Sequence, residues 1–477
     1  MTSLTPAAVT KWDLRMWGLL FVLAANMFID ALEVSVLVVA APSIGVALDL
    51  APTVLQWTLS GFALGFGGLL LFGARIVALL GRRRVYLAAL LAFAAASLLA
   101  GLTSDPALLM ATRFVKGFCA ALTAPTGLAI INTAYREGPD RNRAVSVYTL
   151  FGAGGFTGGL LLSGLLTTIS WRWALAFSAP VVLLLFAFAR RLLPDDEPDG
   201  AAPRRYDVAG AATFTGGLLA LVYAVSSVPA AGWMTARVIG SFLAGVLLLG
   251  AFAVVERTTA RPLLRAGLLA HRPLVRSALG AAALNGSYLG LLFLLTVQTQ
   301  TVLGWSPLKT ALLLAPASLP LAFTALFSGR MVSRFGAPRL IALGSLTPFL
   351  GYVLLLGHDR PTAYATDILP TLLLVAVGFV LAFAALNMQA VAGVPAADRG
   401  MAGGMYQTAV QAGAVLMPAL VAALLQANRP PHGASVTQAL AGHRPALLLI
   451  AAVGAAGLIV GVTGLFARDR SPGRRAK

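Results

Sequence analysis

The stretch WGLLFVLAANMFIDALEVSVLVVAA, residues 17–41, decides the fold class. It carries only two charges, Asp30 and Glu33. About 20 apolar residues at a rise of ~1.5 Å each cross a hydrocarbon core ~30 Å thick. The stretch is too long for a signal-peptide core and has no small-residue cleavage site, so it reads as an uncleaved membrane helix.

Similar runs recur along the chain. Fourteen spans are predicted, at 17–41, 54–73, 85–103, 107–131, 144–168, 173–188, 208–228, 236–255, 275–299, 307–328, 340–357, 368–394, 401–426 and 446–466. Of 477 residues, 58% are hydrophobic and 11% charged, and mean hydropathy is +0.86. A water-covered domain carries about 25% charged residues. The expected class is therefore an all-α polytopic membrane protein.

The net charge of +18 is unevenly placed. Arg172, Arg237, Lys309, Arg360, Arg429 and Arg444 fall on one side of the predicted membrane, and Arg113 and Lys116 lie within a span. The other 27 of the 35 basic residues fall on the opposite side. Basic loops face the cytoplasm, so both termini are expected there, in a multi-pass protein of the inner (plasma) membrane. These bases sit in short loops and form no domain-sized surface for nucleic acid. RRLLPDDEPDGAAPRRYD, residues 190–207, reads as a cytoplasmic linker. ERTTARPLLRAGLLAHRPLVR, residues 256–276, reads either as an amphipathic helix on the inner leaflet or as an ordinary basic loop.

Several chemistries find no residues. The lone Cys119 excludes an intrachain disulfide. His271, His358, His432 and His443 fall in predicted loops without metal-ligand spacing, so no metal is expected. No Gly-x-x-x-x-Gly-Lys-Ser/Thr loop exists for ATP. GAGGFTGG, residues 152–159, lies inside a span with no strand before it, so it is no dinucleotide fingerprint. Neither a cofactor nor an enzymatic activity is expected.

ARIVALLGRRR (74–84) and GRMVSRFGAPR (329–339) are offset by 255 positions. Arg75 aligns with Arg330, Gly81 with Gly336 and Arg84 with Arg339. Weak repetition of a helical half is a mark of secondary transporters. The expected domains are an N-terminal six-helix half with its linker (1–206), an inserted helix pair (207–256) and a C-terminal six-helix half (257–477).

Four ionisable residues lie well inside spans: Asp30 and Glu33 in the first, Arg113 and Lys116 in the fourth. Each pair is spaced three apart, hence on one helix face. At ~1.5 Å per residue, all four lie about 9–16 Å below the outer ends of their helices. A charge at that depth needs a partner or a wet cavity. The four are either a proton and substrate site or two static ion pairs joining helices. The repeat offset carries Asp30 and Glu33 onto Asn285 and Tyr288. Further cavity candidates are Gln56, Gln298, Gln300, Asn387 and Gln411. Gly154–Gly158 and Gly155–Gly159 have the small-residue spacing of close helix packing or a hinge.

LEVSVLVVAAPSI (32–44) resembles the first-helix motif Leu-Asp-x-Thr-Ile-Val-Asn-Val-Ala-Leu-Pro of the fourteen-helix drug:proton antiporter branch of the major facilitator superfamily. RFVKGFCAALTAP (113–125) is similar to its fourth-helix motif Arg-x-x-Gln-Gly, and LQWTLSGFALGFGGLLLFG (55–73) to its second helix. SWRW (170–173), QTVLGWSP (300–307) and TAVQAG (408–413) match further segments, over a resemblance running from about Asn26 to Phe466. Departures are Ala74 and Ala78 for the gate loop's Gly and Asp, Ser333 at the equivalent acidic place of the second half, Lys116 for Gln, and no Gly-Pro step in the fifth helix.

The resemblance implies a major facilitator fold of two six-helix halves plus two inserted helices. It implies proton-coupled export of a small amphipathic compound by alternating access, by a monomer in the lipid bilayer. Glu33 stands at the motif's acid, with Asp30 beside it as a second proton site and Arg113 and Lys116 as charge partners or substrate contacts. Arg75, Gly81, Arg82, Arg84, Gly336 and Arg339 would form the gating loops. Two acids balanced by two bases leave a zwitterionic or anionic substrate open. The rival expectations are a dedicated exporter of one metabolite, amino acid or siderophore, and a transport-inactive membrane sensor or scaffold.

Overall fold

A computed structural model describes residues 12–195, 208–232, 234–258, 266–324, 327–358, 363–395, 398–431 and 435–466. Most of the predicted linker (196–207), part of the basic segment (259–265) and His432 lie outside the described residues. The described residues are helical, with no strand among them. They form α1 (Leu14–Ala47), α2 (Pro52–Leu80), α3 (Arg82–Leu102), α4 (Pro106–Ala134), α5 (Pro139–Ile169), α6 (Trp171–Ala176), α7 (Ser178–Leu192), α8 (Val208–Ala231) and α9 (Ala236–Thr258). There follow α10 (Ala266–Leu269), α11 (Arg272–Val297), α12 (Pro307–Leu314), α13 (Leu319–Thr324), α14 (Ser328–Phe335), α15 (Ala337–Leu356), α16 (Leu369–Val391), α17 (Arg399–Ala427) and α18 (Val436–Phe466).

Among the described residues, twelve helical segments are long and apolar enough to cross a membrane. Two of the fourteen predicted spans are not among them. The one at 208–228 falls on α8, within which the described apolar run is Ala209–Val225. The one at 307–328 is broken into α12, a 3-10 turn at Ala315–Ala317, and α13. Pro316 and Pro320 explain the break, since proline has no N–H to donate and clashes with the preceding turn. In the basic segment, the described part is the end of α9, the single turn α10 and the start of α11.

Helix boundaries follow from capping. The Asp13 carboxylate accepts the Met16 N–H at 2.7 Å, and Asp105 accepts from the Ala107 N–H at 2.8 Å. Such caps satisfy orphan donors of the first turn. Between α2 and α3 the chain turns at Gly81 with φ 93°, and between α14 and α15 at Gly336 with φ 79°. Both sit in the left-handed region that glycine tolerates. The repeat therefore has a backbone meaning: each copy places a glycine where one helix must hand over to the next.

The described residues fall into two compact units, one from residues 1–215 and 306–315, the other from 216–305 and 316–477. The first unit packs α1 against α5 through glycine. A Cβ on Gly155 would meet the Phe28 carbonyl, one on Gly159 the Leu32 carbonyl and the Ser35 hydroxyl, and one on Gly158 the Phe28 ring. Gly154 would meet nothing within 4 Å. SWRW also has a structural role here. Ser170 caps α6, and Arg172 donates to the Gly101 carbonyl (3.1 Å) and the Thr103 carbonyl (2.7 Å) at the end of α3. Just past α4, Tyr135 donates to the Met16 carbonyl at 2.6 Å. Burial pushes its hydroxyl up to about 12, so it remains a donor at physiological pH.

The second unit packs α11 on α17, with Gly413 against the Ala282 carbonyl, and α15 on α16 at Gly344 and Gly378. Rings form a ladder from Tyr288 to Phe379 (4.9 Å), Phe379 to Phe383 (4.8 Å) and Phe383 to Tyr406 (6.4 Å). In α9 only Val238 and Gly245 are buried, and Phe242, Leu243 and Leu247 are exposed. An apolar helix exposed on most sides suits lipid rather than water.

Gly155→Ala is predicted to lower stability by roughly 1–3 kcal/mol through overpacking against backbone. Gly154→Ala should be neutral or raise stability, since alanine is favoured over glycine in a helix by ~1 kcal/mol. Thermal unfolding of the two purified variants checks the contrast.

Candidate functional site

The predicted acids and bases of α1 and α4 meet inside the first unit. The Glu33 carboxylate accepts from one Arg113 guanidinium N–H at Oε2, and from Lys116 Nζ at 2.5 Å and Ser178 Oγ at 3.0 Å at Oε1. Arg113 also donates to the Glu33 backbone carbonyl at 2.7 Å and, through Nε, to the Thr58 carbonyl at 3.1 Å. Its planar fork thus spans a side chain and two backbone carbonyls, which lysine could not do. The guanidinium lies 5.0 Å over the Phe62 ring, and Lys116 Nζ lies 4.9 Å over Phe93. Ser97 of α3 stands behind Ser178, at 3.1 Å. Glu33 and Lys116 are 0% exposed and Arg113 is 1% exposed, so the two cations and one anion are wholly enclosed by α1, α2, α3, α4 and α7.

Asp30, one turn along the same face of α1, has different neighbours. Its Oδ2 accepts from Asn26 Nδ2 at 3.0 Å and from Thr123 Oγ1 at 2.8 Å. No basic residue pairs with it among the described residues. It is buried, with the Tyr86 and Tyr148 hydroxyls and the Cys119 thiol within electrostatic range. Tyr148 donates to the Ala124 carbonyl at 2.7 Å, and the buried Tyr86 hydroxyl has no hydrogen-bond partner among the described residues.

Both bases therefore serve one acid. Asp30 can exchange a proton without breaking an ion pair, whereas Glu33 would first have to give up two cations. A buried ion pair is costly to form, and removing one partner is worse, because it strands the other charge.

The family model described as Major Facilitator Superfamily matches residues 23–418. The chain belongs to the Major Facilitator Superfamily. It is thus a transporter and a multi-pass membrane protein. This facilitator is 37% identical over 411 residues to the puromycin resistance protein of Streptomyces alboniger, covering 85% of the chain and 81% of that protein. It is 34% identical over 391 residues to the cephamycin export protein of Amycolatopsis lactamdurans, covering 81% and 80%. The resemblance to the drug:proton antiporter branch agrees with relatives named for resistance to, or export of, antibiotics. A crystal structure of a bacterial homologue of the lysosomal transporter Spinster shares its fold, with a TM-score of 0.67 at 15% identity, over 95% of this chain and 98% of that one.

The other predicted residues of the facilitator are scattered. Gln56 is fully buried in α2. It accepts from Ser60 at 2.8 Å, and its side-chain nitrogen has no partner among the described residues. Asn285 donates to the Val410 carbonyl at 3.0 Å, and Tyr288 to the Ala317 carbonyl at 3.3 Å. Gln298 is buried and Gln300 half-buried in the π turn Gln298–Val302. Gln411 is buried and Asn387 exposed. Of the residues predicted for gating loops, only Gly81 and Gly336 lie between helices; Arg75 is half-buried near the end of α2, and Arg82 and Arg84 at the start of α3 and Arg339 at the start of α15 are exposed. Ala78 and Ser333, at the family's acidic places, are exposed too, and Ser333 donates to the Arg330 carbonyl at 2.9 Å. No cluster of metal-ligating side chains occurs among the described residues.

Sequence reading missed Asn26, Thr123, Ser97, Ser178 and Thr58. The signal for two of them was available. Asn26, Asp30 and Glu33 fall at i, i+4 and i+7 on α1, and Lys116 and Thr123 are seven apart on α4, so each set shares a face. The hydroxyls of α3 and α7 gave none, because serine is common throughout apolar helices.

Arg113→Gln is predicted to destabilise the fold by roughly 3–5 kcal/mol. Lys116→Gln should be milder, because Lys116 donates to the side chains of Glu33 and Ser178, whereas Arg113 also holds two backbone carbonyls. The double variant Glu33→Gln/Lys116→Gln should fall well short of the sum of its single effects. Unfolding midpoints of the purified variants measure all three.

Proposed function

We propose that the chain is a proton-driven exporter of a small amphipathic compound, of the antibiotic class, working by alternating access in the cell membrane. In this reading it crosses the bilayer fourteen times as a monomer with both termini cytoplasmic. The α8 segment and the proline-broken α12–α13 segment supply the two crossings beyond the twelve long ones. Residues 1–206 and 257–477 are the two halves and 207–256 the inserted pair.

The observation that carries the reading is Asp30, a buried carboxyl held only by neutral donors and one turn from an acid already locked by two bases. Asp30 is the proton-exchanging acid. Glu33, Arg113 and Lys116 form the charged frame that changes when the transporter reopens. Lys116, at the family's glutamine position, biases the site away from cations. Gln56, Gln298, Gln300, Asn285, Tyr288, Asn387 and Gln411 are the candidate substrate contacts. Arg75, Gly81, Arg82, Arg84, Gly336 and Arg339 are the gate-loop residues.

A second reading, a dedicated exporter of one compound, is favoured by those relatives that are named for single antibiotics (puromycin, cephamycin, tetracenomycin C), whereas another is named for multidrug resistance. A panel containing puromycin, a cephamycin and ethidium separates the two, since a dedicated exporter lowers accumulation of only one.

In cells expressing the chain, drug accumulation should fall, and a protonophore should restore it. Asp30→Asn should cut energised efflux by about a hundredfold or more, within the 10²–10⁴-fold range that proton-transfer groups contribute. Asp30→Asn cells that export at the normal rate, with unchanged pH dependence, would sink the reading. Lys116→Gln should shift preference toward cationic compounds, and an unchanged substrate profile would refute that role.

A further inference from the structure

A groove lies where the Arg82 end of α3 meets the end of α7. Its volume is about 670 Å³, and it is lined by Arg83, Arg84, Arg190 and Asp195 at the polar end and by Leu87, Ala88, Leu91 and Phe186 along its wall. We propose that this groove binds an anionic phospholipid, its phosphate on Arg83, Arg84 and Arg190 and one acyl chain along Leu87, Leu91 and Phe186.

Charge argues for the headgroup. Three arginines gather around one aspartate, and Arg83 is already turned inward, donating to the Arg190 carbonyl at 2.8 Å and pairing with Asp195. Asp195 is 89% exposed, so its carboxylate is the weakly held counter-ion that a phosphate replaces. Guanidinium forks match phosphate oxygens, and the positive end of the α3 dipole points the same way. A zwitterionic lipid would bring its own cation into this cluster. An anionic lipid would not.

Length argues for the chain. Leu87, Leu91 and Leu98 run up α3, and Leu91 and Leu98 are each 44% exposed. From Leu87 to Leu98 the helix rises about 16 Å, roughly one leaflet of a ~30 Å hydrocarbon core. A soluble anion would use the arginines but leave this wall bare. The shape therefore favours a molecule with an acid head and one leaflet's depth of hydrocarbon.

The test titrates the purified full-length protein in a neutral detergent with dioleoyl phosphatidylglycerol, dioleoyl phosphatidylcholine, glycerol 3-phosphate and inorganic phosphate. It reads lipid adducts by native mass spectrometry and unfolding midpoints by heating. Phosphatidylglycerol should bind about tenfold tighter than phosphatidylcholine, or more, given the attraction of several Arg side chains for an anionic lipid. Arg83→Gln/Arg84→Gln/Arg190→Gln should erase the preference, and the corresponding triple lysine variant should retain it. Asp195→Asn, which leaves the helices untouched, should tighten phosphatidylglycerol binding. Equal affinity for the two lipids overturns the proposal, as does a triple glutamine variant that keeps its preference, or unchanged binding in Asp195→Asn. If glycerol 3-phosphate or inorganic phosphate stabilises as strongly as the lipid, the site takes an anion alone and the lipid assignment is wrong.

Discussion

One carboxylate shared by two cations holds the first unit in register. Glu33 sits on α1, Arg113 and Lys116 on α4, and the fork of Arg113 reaches the α2 backbone while Ser178 joins from α7. Each charge is buried beyond the reach of solvent. Ions so placed constrain strongly, because any helix that moves must carry its partner along or leave a charge unpaired. Glycines make the arrangement possible by letting backbones approach: Gly155 and Gly159 bring α5 onto α1, and Gly117 brings α4 onto Phe62 of α2. Close packing without side-chain bulk is the usual route to helix association where lipid removes the hydrophobic driving force.

Against that rigid frame, Asp30 stands apart. Asn26 and Asp30 are four positions apart and Asp30 and Glu33 three, yet the two acids have opposite company. Glu33 is surrounded by positive charge. Asp30 is held by an amide and a hydroxyl, with tyrosine rings nearby. Two carboxylates in distinct environments are the pattern by which one site divides proton exchange from charge holding. In the proposed cycle, the locked acid gives the half its shape and the unlocked acid does the exchange.

Much of this was legible in the chain. Long apolar runs gave twelve of the predicted crossings, because a full-length hydrophobic helix has few competing readings. Buried charges at i, i+3 spacing pointed to one another, because an ion in hydrocarbon must find company. Legibility failed where the signal was local and weak. Prolines 316 and 320 break a run that hydropathy alone reads as continuous. Of the two readings that the spacing left open, the two static acid–base pairs do not form: both bases went to Glu33. Sequence spacing fixes which face a residue occupies, not which of two acids on that face a flexible lysine will choose. Tyr288, a candidate ligand contact, lies tilted against Phe379 at 4.9 Å and donates to the Ala317 carbonyl, contacts that sequence spacing does not reveal.

The central claim, that Asp30 exchanges the proton while Glu33 frames the site, is tested most directly in proteoliposomes that contain the reconstituted chain and a pH-sensitive dye. Substrate added under an imposed gradient should move protons through the normal protein. With Asp30→Asn, substrate should still exchange for substrate across the bilayer while no protons move. Proton movement that persists in Asp30→Asn, or exchange that disappears along with it, would contradict the account.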